Sequence, residues 1–139
     1  MKDYKKLNGI LSSAAMLAVG FSISQTAVAG SYNSSVHLPT LHSKGYVYVA
    51  HIPVPAGPRN GLLIKSVSWN WNVHGWPRGL QVQLCQGKTR CIDVSRQRTG
   101  STTAYNGNHS PEPFFYELKI SGPGPMPVAG LLGRLTVNW

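Results

Sequence analysis

The chain has 139 residues, with 13 Lys and Arg against 4 Asp and Glu and a formal net charge of +9. That length holds one domain with a modest core. So few carboxylates weigh against hydrolysis by a converging acid pair, and two cysteines exclude a multi-disulfide scaffold.

Lys2, Lys5 and Lys6 precede a mostly apolar stretch from Ile10 to Ile23, and Ala27-Val28-Ala29 gives a small-x-small cleavage signal before Gly30. This is the anatomy of a secretory signal peptide over residues 1–29. The apolar stretch is interrupted by Ser12, Ser13, Gly20 and Ser22, and falls short of the roughly 20 strongly apolar residues of a membrane span. Cleavage would leave 139 less 29, or 110 residues, as one soluble domain. The basic count falls by three and the acidic count by one, to a net charge near +7. Such a charge favours anionic surfaces, whether lipid head groups, cell-wall polymers or an acidic protein patch. Nucleic acid is not expected as a partner, because an exported domain rarely meets it.

The segment 30–44 is polar and Ser-rich and reads as a flexible arm. Gly45 to Ile52 is rich in aromatic and β-branched residues and reads as a strand, halted by Pro53, Pro55, Gly57 and Pro58. From Leu62 to Val73 the alternation is clean: Val67, Trp69, Trp71 and Val73 share one face, which points to core packing of both tryptophans. Gly75-Trp76-Pro77-Arg78-Gly79 is a turn.

The stretch Gly79 to Val94 predicts a hairpin. Leu80, Val82 and Leu84 alternate with glutamines, and Ile92 and Val94 flank Asp93. With Cys85 opposite Cys91, Leu84 meets Ile92 and Val82 meets Val94 on one face, and the two cysteines meet on the other. Directly opposite residues of an antiparallel pair lie within disulfide range. In an exported protein this pair is expected to be bridged. The closed loop is short, so the staple is local and contributes about 2 kcal/mol.

Arg96 to Ser101 reads as a polar connection and Thr102 to Tyr105 as a short strand ended by Asn106-Gly107-Asn108. In Glu112 to Ile120 the even positions from Phe114 suit a buried face. Ser121 to Pro127 (SGPGPMP) is a turn or linker, and Leu131 to Trp139 closes the chain with Leu135, Val137 and Trp139 in alternation. Short strands between Gly, Pro and Asn turns, with no helical period after the leader, predict an all-β antiparallel sandwich or barrel-like domain.

Chemistry is sparsely signalled. Asp93, Glu112 and Glu117 fall in separate segments. His37, His42, His51, His74 and His109 lack zinc-ligand spacing, and no GxSxG elbow is present. No enzyme activity, metal or cofactor is expected. The better lead is Trp76, an aromatic in a Gly/Pro turn beside Arg78, which reads as a contact patch for a protein or a sugar or as a cap on the end of the sandwich. Lys88 and Arg90 at the hairpin tip, with Arg96 and Arg98, gather basic charge at one side, which reads as a solvated loop or as an electrostatic docking surface.

A Trp-rich strand, Gly-x-x-Arg-Gly-Leu (Gly75 to Leu80), Val-Gln-Leu-Cys (Val82 to Cys85), a basic return through Cys91, Gly-Ser-Thr-Thr-Ala-Tyr-Asn-Gly (Gly100 to Gly107) and the closing Leu-Thr-Val-Asn-Trp139 follow one another. In that order, over Val67 to Trp139, the chain resembles the flagellar protein FlhE family. The resemblance implies a small periplasmic all-β protein of Gram-negative bacteria without catalytic residues. It further implies an association with the flagellar export apparatus, limiting proton leakage through the secretion channel and supporting swarming. Two other readings are a carbohydrate- or cell-wall-binding module stacking sugars on exposed aromatics, and a hydrolase inhibitor inserting the braced Cys85–Cys91 loop into an anionic cleft.

Overall fold

The computed structural model describes residues 29–56 and 61–139. The signal-peptide reading therefore lies outside the described residues except for Ala29. Eight strands follow in order: β1 (Ser31–His37), β2 (Tyr48–His51), β3 (Ser66–Val73), β4 (Leu80–Gln86), β5 (Arg90–Asp93), β6 (Thr99–Thr102), β7 (Phe114–Ile120) and β8 (Gly130–Asn138). They form two antiparallel sheets of four, ordered β1-β8-β3-β6 and β2-β7-β4-β5. The expected all-β sandwich is what forms.

Period-two patterning explains the core. Val67, Trp69, Trp71 and Val73 of β3 are buried, as are Phe114, Tyr116, Leu118 and Ile120 of β7. With Val82 and Leu84 of β4 and Leu135 and Val137 of β8 they form one apolar cluster between the sheets. One polar tip inside this layer is satisfied across it: the Tyr116 hydroxyl of β7 donates to the carbonyl of Arg134 in β8 at 2.5 Å.

The hairpin has the expected register, with Leu84 opposite Ile92 and Cys85 opposite Cys91; the Val94 amide donates to the Val82 carbonyl at 2.9 Å. Cys85 and Cys91 are disulfide-bonded, their Cα atoms 4.0 Å apart. The staple sits on the outer face of its sheet, where Cys91 and Glu117 cover the Cys85 sulfur.

Three expectations are corrected. The segment read as a flexible arm is largely β1, paired with β8 from Ser31↔Asn138 to His37↔Leu132. Leu38 and Leu41 beyond it are fully buried, and Leu41 bridges to Val128. Backbone hydrogen bonds to β8 hold an edge strand whose side chains are mostly polar, so its hydrophobic pattern is faint. Second, the strand after the hairpin is Thr99–Thr102, not Thr102–Tyr105. The Trp69 indole lies over Gly100, its cross-strand partner, and a Cβ there would stand 2.6 Å from the ring. Tyr105 instead turns inward from a loop, and its hydroxyl donates to the Leu84 carbonyl at 2.5 Å. Third, the segments Gly45–Ile52 and Leu62–Val73 pair over shorter lengths, as β2 and β3.

Replacing both cysteines by serine should lower the unfolding free energy by about 2 kcal/mol, read as a lower urea midpoint with a folded circular dichroism spectrum retained. Burial pushes the Tyr105 phenol up to about 12, whereas an unfolded tyrosine ionises near ~10. Above that lower value the unfolded chain loses its proton first, so stability falls as pH rises through this window. Tyr105→Phe should flatten that alkaline decline in denaturant titrations, and cost about 1 kcal/mol at neutral pH through the lost hydrogen bond.

Candidate functional site

At one end of the sandwich the chain turns from β3 into β4 through Gly75–Gly79, and from β7 into β8 through the Pro-rich loop 121–129. Between these two connections lies a cavity of about 520 Å³ lined by Trp76, Pro77, Ile120, Pro125, Pro127 and Val128, with His74 and Arg78 as its ionisable side chains. Trp76 is 83 % exposed. An indole left in water at the mouth of an apolar cavity has no part in the core.

The walls are stitched by backbone. The His74 amide donates to the Ala129 carbonyl at 2.9 Å, and the Ser121 amide to the Gly79 carbonyl at 3.1 Å. Gly79 has φ +77°, and any Cβ there would collide with the Ser121 carbonyl. Only glycine permits that approach, which accounts for Gly79 in the Gly-x-x-Arg-Gly-Leu segment.

Arg98 fixes the turn from behind. Its Nη1 donates to Asn72 Oδ1 at 2.6 Å and to the Val73 carbonyl at 3.2 Å, while Nη2 donates to the Gly75 carbonyl at 2.5 Å. The guanidinium carbon stands 3.7 Å from the centroid of the Trp76 ring, a cation–π stack, and 5.1 Å from that of Trp71. Burial lowers the Arg98 pKa from its ordinary value. What delivers Arg98 is the core: the Trp69 indole N–H donates to the Gln97 carbonyl at 2.9 Å, and that of Trp71 to Val94 at 3.0 Å and Gln97 at 3.2 Å.

The six candidate partner-binding residues fall into two groups. Trp76, Arg78 and Arg98 sit at the cavity end, and the exposed Arg96 lies in the connection that leads there. Lys88 and Arg90 sit at the other end of β4, about 20 Å away over six strand steps. The reading of one basic side is corrected accordingly, because the hairpin reverses the chain and carries its two ends apart. Arg90 is also engaged, donating to Asn108 Oδ1 at 2.5 Å, while Asn108 Nδ2 donates to Gln86 Oε1 at 2.8 Å. Arg98 is a brace more than a free cation. The Pro-rich loop as a wall was missed by sequence reasoning; its run of prolines signalled irregular backbone but not which turn it would face.

Cys85, Cys91 and Glu117 bring three ligand-type atoms within 4.8 Å of one another. The two sulfurs are bonded to each other, so the group does not form a metal site. Asp93 is engaged by Ser95, whose hydroxyl and amide hold its carboxyl below the usual range.

Arg98→Ala should free the Trp76 turn and cost on the order of 2 kcal/mol, from a lost cation–π stack and charged hydrogen bonds. Limited trypsin digestion should then cut after Arg78 faster than in the parent. Arg98→Lys, which keeps charge but not the fork, should recover little of the protection.

The flagellar protein FlhE family model matches residues 39–139, a span that takes in β2 to β8 and both walls of the cavity. Among solved structures, the crystal structure of FLHE is similar to this chain with a TM-score of 0.70 and 21 % sequence identity, over 80 % of this chain and 96 % of that one. At that identity the likeness is one of fold. No curated relative matches the chain. With the family pattern running through seven of the eight strands, the chain belongs to the flagellar protein FlhE family.

Proposed function

We propose that this protein is an exported, non-catalytic accessory factor of the flagellar system that works in the periplasm by binding a protein partner at its Trp76 end. Family membership supplies the flagellar setting, and the disulfide accords with an oxidising compartment. The observation that carries the docking role is Trp76 itself, exposed, braced by Arg98 and set at the mouth of an apolar cavity. Tryptophan and arginine at a preformed pocket are the residue types that dominate protein interfaces. The partner is the flagellar export apparatus or a component passing through it, and the consequence of docking is restraint of proton leakage and support of swarming.

Deletion of the gene in a flagellated host should reduce swarming or acidify the cytoplasm, and the parent gene should restore both. A Trp76→Ala copy, made at the same level and folded, should fail to restore them. Normal swarming and normal cytoplasmic pH in the deletion strain would sink the flagellar role.

A further inference from the structure

We infer that the occupant of the Trp76 cavity is a polypeptide segment presenting an aromatic or branched apolar side chain beside a carboxylate. This rests on the docking role proposed above and adds the chemistry of the partner.

Size and lining come first. A cavity of about 520 Å³ walled by Trp76, Ile120, Pro125, Pro127 and Val128 takes one or two apolar side chains, not a folded surface. The Arg98 guanidinium covers one face of the indole at 3.7 Å and leaves the other for the occupant.

Polar complementarity narrows the class. Pro123, Pro125 and Pro127 carry no N–H, so this wall offers carbonyl acceptors and few donors. A peptide backbone brings the missing N–H groups. Carbonyl acceptors would also meet a glycan's hydroxyls, so the charge of the rim is what separates the two classes. The cavity's ionisable side chains, His74 and Arg78, are both basic, and Arg98 lies directly behind Trp76. A positive rim around an apolar pocket selects an anionic group next to the anchor and disfavours a cationic one.

The site is also preorganised. His74 to Ala129, Ser121 to Gly79 and Arg98 to Gly75 fasten its walls before any ligand arrives, so little ordering cost falls on binding.

The test uses the protein purified from the periplasm, labelled with ¹⁵N, and four probes. These are a soluble peptide with a central Glu-Phe-Glu, its Lys-Phe-Lys and Glu-Ala-Glu counterparts, and the N-acetylglucosamine tetramer. The Glu-Phe-Glu peptide should give saturable shifts at the Trp76 indole and the amides of Gly75, Gly79 and Gly124, with the two counterparts about tenfold weaker. Arg78→Glu should invert the preference between the Glu- and Lys-flanked peptides, and Lys88→Glu at the far end should leave affinity within about twofold. Equal binding of the two charged peptides by the parent protein overturns the inference, as does saturation by the sugar with no response to any peptide. If Trp76→Ala abolishes swarming while no peptide binds, the peptide chemistry fails and docking stands. If Trp76→Ala swarms normally, docking itself fails.

Discussion

Two indole N–H groups set the geometry of the cavity end. Trp69 and Trp71 must lie in the core because β3 alternates, and a buried indole needs an acceptor. Their acceptors are the carbonyls of Val94 and Gln97 in the connection between β5 and β6. That requirement draws the connection across the end of β3 and leaves the next residue, Arg98, facing the turn that follows. Core packing, rather than any property of the surface, thus decides where the cation beneath Trp76 sits. The same packing explains Gly100, since the Trp69 ring occupies the space a side chain would need.

The two ends of β4 are secured by different means. At the hairpin end a covalent bridge joins Cys85 to Cys91, and a relay from Arg90 through Asn108 to Gln86 ties the hairpin to the loop 108–112. At the cavity end there is no covalent link among the described residues; backbone bonds, Gly79 and Arg98 do the holding. The first end is rigid and polar. The second combines rigidity with exposed apolar surface, and that combination is the ground for proposing docking there. The basic residues are shared between both ends, so charge alone could not have separated them.

Strands with one buried face were legible in the sequence, because period-two alternation is a direct consequence of burying one side of a pleat. The faces of β3, β7 and β8 and the register of the hairpin follow from residues such as Trp71, Tyr116, Val137 and the Cys85–Cys91 pair. β1 was not legible, since Ser31, Asn33 and Ser35 form their ladder with backbone groups that any residue supplies. β6 was misplaced because a Thr-Gly-Ser-Thr strand carries no apolar alternation, and its location depends on a tryptophan 31 positions earlier in the chain. At the site, Trp76 was legible as an aromatic in a turn. Arg98 as its brace was not, because nothing local links position 98 to position 76.

Two of the three carboxylates among the described residues already have structural duties. The Asp93 carboxylate accepts the Ser95 amide at 2.9 Å, and Glu117 packs at 3.8 Å against a disulfide sulfur that can neither donate nor bind a metal as a thiolate. His37 Nδ1 lies 3.0 Å from the Leu38 carbonyl, at the β1 edge and away from these acids in the register. The side chains that remain for function at the cavity are an indole, two basic groups and a wall of prolines. Such a set is suited to burying an apolar side chain with an anionic group beside it.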